Sequence, residues 1–206
     1  MKITPAATVL ALAAAAAHAQ DADENGRTLT ADEARDFFGE VASDAEEAVR
    51  REDWAGIMNW FERHVTEDAT IALRGTATMT GGMVASFEVV MDGAHLSRVA
   101  GMAMGAGGSG QAMSMPMDMI EDYALSTDVQ AVNELPNGQV TAAVVFHESG
   151  RVAPPEEATG QEAPQAQARE MPELVFDQLS SCMIRLAPGE DEIRIVNVAC
   201  ESTAMM

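Results

Sequence analysis

Two apolar runs near the C-terminus, Leu174 to Ala187 and Ile193 to Thr203, constrain the fold of this chain more than any other part of its sequence. Apolar residues recur at alternate positions in both runs, which is the pattern of half-buried β-strands. The segment between them, Pro188 to Asp191, has the composition of a turn. We therefore predict an antiparallel hairpin with Cys182 and Cys200 on its apolar face.

The N-terminus has the order of regions found in secretory signal peptides. Lys2 precedes an apolar run from Val9 to Ala17, and Ala17-His18-Ala19 supplies a small-x-small cleavage site. This run is too short and too alanine-rich to cross a bilayer, and no other segment is apolar enough to do so. We predict that residues 1–19 are a signal peptide and that the mature protein is periplasmic or secreted.

Two cysteines in an exported protein favour a disulfide between them. A register that pairs Leu186 with Val196 makes Cys182 and Cys200 neighbours, if the connection contains a longer loop or a bulge. Two buried free thiols are the alternative. A redox-active pair is not predicted, because the spacing is not Cys-x-x-Cys and no basic residue is placed to stabilise a thiolate.

Acidic residues far outnumber basic ones, with 33 Asp and Glu against 12 Lys and Arg and a net charge of −21. Removal of Lys2 with the signal peptide gives 11 − 33 = −22. Such a charge repels nucleic acid and anionic membrane surfaces, so both are excluded as partners. A solvated acidic surface is the favoured interpretation, and capture of a cationic partner is the alternative.

Helices are predicted after a mobile leader at residues 20–29. Thr30 and Glu33 have the spacing of a capping box, and apolar residues then recur at helical spacing as far as Val49. Asp53 is placed to cap a second helix. The large rings of this helix are interpreted as core at Trp54 and Phe61 and as rim at Trp60.

From Asp68 the apolar period changes to two, which predicts the start of a sheet. A tight turn at Asp92-Gly93 predicts that Ala94 to Val99 pairs back on the preceding strand, with a helix as the alternative. The clearest hairpin signal is Asn137-Gly138 between two alternating runs. The apolar face of the second run is defined by Val140, Ala142, Val144 and Phe146.

Two stretches are predicted to lie outside the packed core of a single domain at residues 30–203. The glycine-rich loop at 105–112 has neither the ending of a phosphate-binding loop nor the setting of a dinucleotide fingerprint. Residues 151–172 are rich in Pro, Glu, Gln and Ala, which predicts a disordered insert. No motif in the chain predicts a cofactor.

Four methionines alternate with other residues in one short stretch, at Met113, Met115, Met117 and Met119. Thioethers are soft ligands for monovalent copper, so a periplasmic copper(I) site is one hypothesis. Methionine also fills irregular gaps in cores and interfaces. We favour this second interpretation and predict no metal site, because no Cys or His lies in the stretch.

The order of elements resembles the nuclear transport factor 2-like superfamily, which includes ketosteroid isomerase and cyclases of the SnoaL type. The segments that carry the resemblance are Asp53-Trp54-Ala55-Gly56-Ile57 and Val65-Thr66-Glu67-Asp68-Ala69. The resemblance spans about Thr30 to Thr203. It implies an α+β fold in which N-terminal helices pack on a curved, mainly antiparallel, cone-like sheet. It also implies an apolar ligand pocket lined by Phe38, Trp54, Met58, Phe61, Phe87, Tyr123 and Phe146.

Catalytic members of this superfamily place polar groups in the cone, as when the isomerase combines a carboxylate base with a tyrosine and a protonated acid. Here neither Asp68 nor Asp128 has a matching role, and the sole tyrosine is Tyr123. We therefore expect a module that binds a small apolar ligand or a protein partner, with a homodimer left open. The alternative is an isomerase- or cyclase-like enzyme that uses a pocket acid or His147; a carboxylate buried at the pocket floor would favour it.

Overall fold

A computed structural model describes residues 27–79, 81–103, 120–152 and 174–205. The chain forms three helices and six strands within these residues. In chain order they are α1 (Ala31–Arg50), α2 (Trp54–His64), β1 (Val65–Thr78), β2 (Val84–Asp92), α3 (Gly93–Ala103), β3 (Ile120–Glu134), β4 (Val140–Val152), β5 (Leu174–Pro188) and β6 (Ile193–Met205).

The six strands form one sheet in the order β2-β1-β6-β5-β4-β3. Every neighbouring pair is antiparallel except β1 and β6, which run parallel. The predicted α+β class, with N-terminal helices on a mainly antiparallel sheet, is therefore confirmed. The last strand lies between β1 and β5, near the middle of the sheet.

Helix α1 begins at the predicted capping box. The Oγ1 atom of Thr30 accepts a hydrogen bond from the amide of Glu33 (3.2 Å), and the Glu33 carboxylate accepts one from the amide of Thr30 (2.8 Å). This local exchange satisfies two amides that the first helical turn leaves without partners. Arg27 to Leu29 do not belong to a mobile leader, because Leu29 is buried and its amide donates to the carbonyl of Gly138 (2.9 Å).

Helix α1 lies along β3, which is an edge strand of the sheet. The amide of Leu125 donates to Oε1 of Glu46 (2.9 Å), and Oγ1 of Thr127 donates to the carbonyl of Phe38 (3.2 Å). At the other end of the strand, the Oε1 atom of Glu134 accepts from the amide of Ala31 (2.9 Å). The helix thus covers polar groups that an edge strand otherwise exposes.

Helix α2 is capped as predicted, since Oδ1 of Asp53 accepts a hydrogen bond from the amide of Gly56 (2.8 Å). Phe61 is buried and Trp60 is half-buried, which agrees with their assignment to core and rim. The Trp60 ring stacks on Phe37 with ring centroids 6.2 Å apart, and this contact joins the two helices. The side chain of Trp54 lies outside the described part of the structure.

The C-terminal hairpin and its disulfide are both present. Cys182 pairs with Cys200 across β5 and β6, with their Cα atoms 4.1 Å apart, and the two residues are disulfide-bonded. The predicted pairing of Leu186 with Val196 is wrong, because a bulge at this point pairs Leu186 with Ile195 instead. The bulge absorbs the extra residue that the short connection requires.

The predicted hairpin at Asp92-Gly93 is wrong, and the helical alternative is confirmed. Gly93 begins α3, and Oδ1 of Asp92 accepts a hydrogen bond from the amide of His95 (2.6 Å), as an N-cap residue does. Gly93 lies against the carbonyl of Thr66, where no Cβ atom would fit. The glycine thus allows a close approach between α3 and β1 rather than a tight turn.

Two predicted boundaries also move. Strand β1 begins at Val65, three residues before the predicted Asp68, and β4 runs on through Arg151 and Val152. These last two residues therefore belong to the sheet and not to an insert. The remaining predictions for residues 1–19, 105–112 and 153–172, and for Met113, Met115, Met117 and Met119, lie outside the described residues.

Candidate functional site

The inner face of the sheet, on which the helices pack, is apolar at one end. Val140, Ala142, Val144 and Phe146 of β4 are buried there, as are Ile184 and Leu186 of β5. Phe38 of α1 packs edge-to-face on Phe146, with ring centroids 6.3 Å apart. We call this region the apolar end; it forms the main core of the domain.

The same face becomes polar toward the other end of the central strands. We call this region the polar end. It consists of four buried residues: Glu148 on β4, Gln178 and Ser180 on β5, and Ser202 on β6. The Nε2 atom of Gln178 donates to Oγ of Ser180 (3.1 Å), and the hydroxyls of Ser180 and Ser202 are hydrogen-bonded (2.7 Å). Three of the four residues thus satisfy one another, and Glu148 is the exception.

Glu148 is 2% exposed and faces Tyr123 of β3. Burial raises the pKa of Glu148 to about 7, and the Tyr123 hydroxyl opposes this by lowering it. Burial also raises the pKa of Tyr123, and the nearby carboxylates of Glu148 and Glu46 add to this effect. A carboxyl with a pKa near 7 exchanges its proton at neutral pH.

Neither Oη of Tyr123 nor Oε2 of Glu148 completes a hydrogen bond of normal geometry with the described residues, although both atoms are buried. The hydroxyl is close enough to lower the pKa of the carboxyl as a hydrogen-bonding neighbour, but the contact does not have the geometry of a normal hydrogen bond. A buried polar atom without a partner costs about 1 to 3 kcal/mol. Other buried atoms share this state, among them Oε2 of Glu192, but Tyr123 and Glu148 also interact with each other, which marks this pair as a candidate site.

A bulge in β3 places Tyr123 at this position. The pairing of β3 with β4 shifts between Glu121 and Ala124, and Asp122 adopts a left-handed backbone conformation with φ of 51°. Arg151 of β4 forms ion pairs with both Glu121 and Asp122, which hold the bulge against the neighbouring strand. Bulges often redirect a side chain beside a functional site.

A groove of about 590 Å³ lies between the last turns of α1 and the start of β3. The ring of Tyr123 forms part of its wall. The other lining residues are largely acidic: Ser43, Asp44, Glu46, Glu47, Val49, Arg50, Glu52, Ile120 and Asp122. A smaller cavity of about 190 Å³ lies between α1 and α2, with Trp60 and Phe61 among its lining residues.

Of the residues expected to line an apolar pocket, Phe38, Phe61 and Phe146 belong to the buried core, and Tyr123 packs against it. Phe38 and Phe146 are in contact within the core, while Phe61 lines the cavity between α1 and α2 and Met58 is half-buried on α2. Phe87 lies at the opposite edge of the sheet, over Gly75. Of this set, Tyr123 is the residue next to the buried carboxyl.

His147 does not reach the inner face, so the alternative in which it acts as a pocket base is not supported. It lies exposed on the outer face, where its Nε2 atom is 3.2 Å from Oδ1 of Asp177. The physical reason is the alternation of side chains along a strand, which turns His147 outward and Glu148 inward. Glu148 was not predicted, because the inner face of β4 was followed only as far as Phe146. The same alternation, continued by one step, places Glu148 on that face.

Within the described ranges, no group of three or more His, Cys, Asp or Glu side chains is arranged to hold a metal ion. No helix in the same ranges is long and apolar enough to cross a membrane. The protein groups available for chemistry at the polar end are its hydroxyl, amide and carboxyl groups.

The described residues define an α+β protein with a buried acid and tyrosine at one end of the inner sheet face. No protein-family model and no curated protein matches the sequence. Among solved structures, a ketosteroid isomerase-like protein from Erwinia carotovora atroseptica SCRI1043 is similar, with 10% identity and a TM-score of 0.35. The match covers 82% of this chain and 92% of that one.

Aln2 from a Streptomyces species is also similar, with 14% identity and a TM-score of 0.39 over 85% of this chain and 94% of that one. The first of these proteins is of the type named in the predicted resemblance, but at such scores neither likeness assigns a function to this chain. The function must therefore be argued from the polar end itself.

Proposed function

We propose that this protein binds a small, mainly apolar molecule that carries one polar group, held by Tyr123 and Glu148. The observation that supports the proposal is the pair of buried, unsatisfied polar atoms at the polar end of the inner face. A ligand that supplies the missing hydrogen bonds would gain the free energy that the unliganded fold leaves unused.

The two side chains offer complementary hydrogen bonds. The Tyr123 hydroxyl donates to a carbonyl or other acceptor, because burial and the nearby carboxylates raise its pKa and keep it protonated. The Glu148 carboxyl donates when protonated and accepts when ionised, and its pKa of about 7 makes both forms available near neutral pH. A ketone or a hydroxyl group on an apolar ring system fits this pair.

The groove beside Tyr123 is the route of entry that we propose. Its volume of about 590 Å³ is within the range of small-molecule sites. Tyr123 lines this groove, so a ligand held there lies next to the side chain that interacts with Glu148. Because Asp44, Glu46, Glu47, Glu52 and Asp122 line the groove, neutral molecules are favoured over anions.

A matched pair of probes tests this proposal. We expect 2-acetylnaphthalene to bind more tightly than 2-ethylnaphthalene, which has a similar shape but no carbonyl, by about tenfold or more. Tyr123→Phe should remove that preference in isothermal titration calorimetry, while His147→Gln, the outward neighbour of Glu148, should keep it. Equal affinity for the two probes, or no binding of either, would contradict the proposal.

A second candidate function is proton transfer next to a carbonyl group. The observation that favours it is that a carboxyl with a pKa near 7 lies next to a tyrosine hydroxyl. The Glu148 carboxyl can act as a general base or acid, and the Tyr123 hydroxyl can donate a hydrogen bond to a developing oxyanion. The test is exchange of the α-hydrogens of 2-acetylnaphthalene in deuterated water, followed by NMR. Exchange above the buffer rate that Glu148→Gln abolishes would support it, and exchange at the buffer rate would reject it.

We also propose that the domain is exported. The disulfide between Cys182 and Cys200 supports this, because such bonds persist in oxidising compartments. Expression of the whole chain with a C-terminal tag in a bacterial host, followed by fractionation and N-terminal sequencing, tests it. We expect a periplasmic product that begins at Gln20, and a cytoplasmic product that retains Lys2 would refute it.

A further inference from the structure

The two edge strands of the sheet, β3 and β2, differ in what packs against them. The β3 edge is covered by α1, as described above, and carries four acidic residues: Glu121, Asp122, Asp128 and Glu134. The β2 edge pairs with β1 on one side, and on its other side no described strand pairs with it. Charged residues are one usual protection of an edge strand, and β2 carries two of them, Glu88 and, at its end, Asp92.

The segment that forms this edge is apolar and exposed. Met83 is 64%, Val84 62% and Val90 68% exposed to solvent. Between Met83 and Met91 the sequence is Met-Val-Ala-Ser-Phe-Glu-Val-Val-Met, with Glu88 as its one charged residue. Exposed apolar side chains on an unpaired edge strand favour pairing with another strand over contact with solvent.

The order of residues in this segment indicates which partner fits. When a second copy of the segment is aligned antiparallel to the first about Phe87, Val84 of one copy lies opposite Val90 of the other, and Ala85 lies opposite Val89. Ser86 then falls opposite Glu88, so the two copies of the one acid avoid each other. A register centred on Glu88 itself would instead place two like charges directly opposite, which destabilises an antiparallel pair.

We propose that β2 pairs antiparallel with β2 of a second copy of this chain, about a two-fold axis at Phe87. The pairing joins two six-stranded sheets edge to edge. This is an isologous contact, in which the same surface serves both partners. Assembly stops at two copies because an isologous contact uses the same edge of both partners.

The charge of the chain sets the conditions for this dimer. Each copy carries a net charge of −21, so long-range repulsion opposes association at low ionic strength. Salt screens this repulsion, since the Debye length falls from about 10 Å at 0.1 M to about 3 Å at 1 M. The dimer should therefore tighten as salt increases, which is the reverse of a contact held by ion pairs.

The experiment is sedimentation equilibrium of the purified full chain over a range of protein and salt concentrations. Val84→Lys and Val90→Glu should each weaken the dimer by about tenfold or more. Each substitution is present in both copies, so it places two charges opposite apolar residues at the interface. The double variant should recover most of the loss, because the new lysine of one copy then faces the new glutamate of the other in the register centred on Phe87. Met183→Lys, an exposed substitution on the outer face of β5, is the matched control and should leave the dimer unchanged.

Hydrogen exchange gives a second readout that does not depend on these variants. Amides between Val84 and Val90 should become more protected as the wild-type protein is concentrated, while those of β3 should not change. A wild-type monomer at every concentration and salt would overturn the proposal. So would a dimer that survives both single substitutions, or one that Met183→Lys dissociates.

Discussion

The apolar end and the polar end of the inner face belong to the same strands, yet they differ in whether the protein alone satisfies the packing and hydrogen bonds of their side chains. At the apolar end, Ile184 and Val198 belong to the same buried core as Phe38 and Phe146, and the disulfide joins β5 to β6 beside them. At the polar end, Gln178, Ser180 and Ser202 are satisfied within the protein, while Glu148 and Tyr123 are not. One end is complete without a ligand, and the other leaves hydrogen bonds unmade.

The largest change in the free energy of unfolding should follow truncation of a side chain at the apolar end. Ile184 is fully buried on a central strand, so Ile184→Ala leaves a cavity and should lower the free energy of unfolding by about 4 kcal/mol. Urea denaturation measures the change. Leu179→Ala, on the exposed face of the same strand, is the control and should stay within about 1 kcal/mol. Equal effects at both positions would mean that the two faces are not distinct.

Removal of the disulfide should have the next largest effect. The bond joins residues separated by 18 positions, and the closed loop restricts the unfolded chain. Replacing both cysteines by alanine should lower the free energy of unfolding by about 3 kcal/mol. Thermal unfolding with and without a reducing agent gives the measurement, and no difference in the wild-type protein would show that the bond does not stabilise the fold.

The pH dependence of stability should distinguish the polar end. The pKa of Glu148 rises from 4.5 in the unfolded chain to about 7 in the fold, so its protonated form favours folding. That contribution is complete below pH 4.5 and is lost as the pH rises to about 7. Relative to Glu148→Gln, the wild-type free energy of unfolding should fall by about 3 kcal/mol across this window.

Denaturation curves of both proteins at several pH values measure the Glu148 effect. The glutamine variant removes the contribution of this group while leaving the other carboxylates, including Glu33, whose pKa is lowered by its hydrogen bonds to Thr30. Parallel stability curves for the two proteins would mean that Glu148 is solvated in the fold.

Tyr123→Phe should have the smallest effect on stability and the opposite sign. Its hydroxyl is buried without a complete hydrogen bond, so below pH 4.5, where Glu148 is protonated in both states, its removal should stabilise the protein by about 1 kcal/mol. The pKa of Glu148 should rise further, because the hydroxyl lowers it in the wild type. NMR titration of the Glu148 side chain checks this, and a lower pKa in the variant would contradict the described contact.

Features that depend on a few neighbouring residues could be predicted from the sequence. The capping box of Thr30 and Glu33 and the turn at Asn137-Gly138 are of this kind, and Gly138 has the expected positive φ of 79°. The disulfide followed from the alternation of side chains in two strands. The hairpin predicted at Asp92-Gly93 was wrong because an aspartate before a glycine suits both a tight turn and a helix cap. The close contact of Gly93 with Thr66 favours the helix.

The candidate site was only partly predictable. Tyr123 was proposed as a pocket residue, but its approach to Glu148 depends on a bulge that places Asp122 in the left-handed region, which a nonglycine sequence does not signal. Glu148 was available from alternation and was missed. The position of β6 between β1 and β5 depends on pairing between distant parts of the chain, which no local pattern encodes.

The central position of β6 makes the order of assembly depend on the end of the chain. β1 and β2 form one part of the sheet, β3 to β5 form another, and β6 alone hydrogen-bonds to both. The two parts cannot join until the residues up to Met205 are available, however early the helices form. A chain truncated before Ile193 would present two additional bare edges, so we expect it to aggregate rather than to fold as a smaller domain.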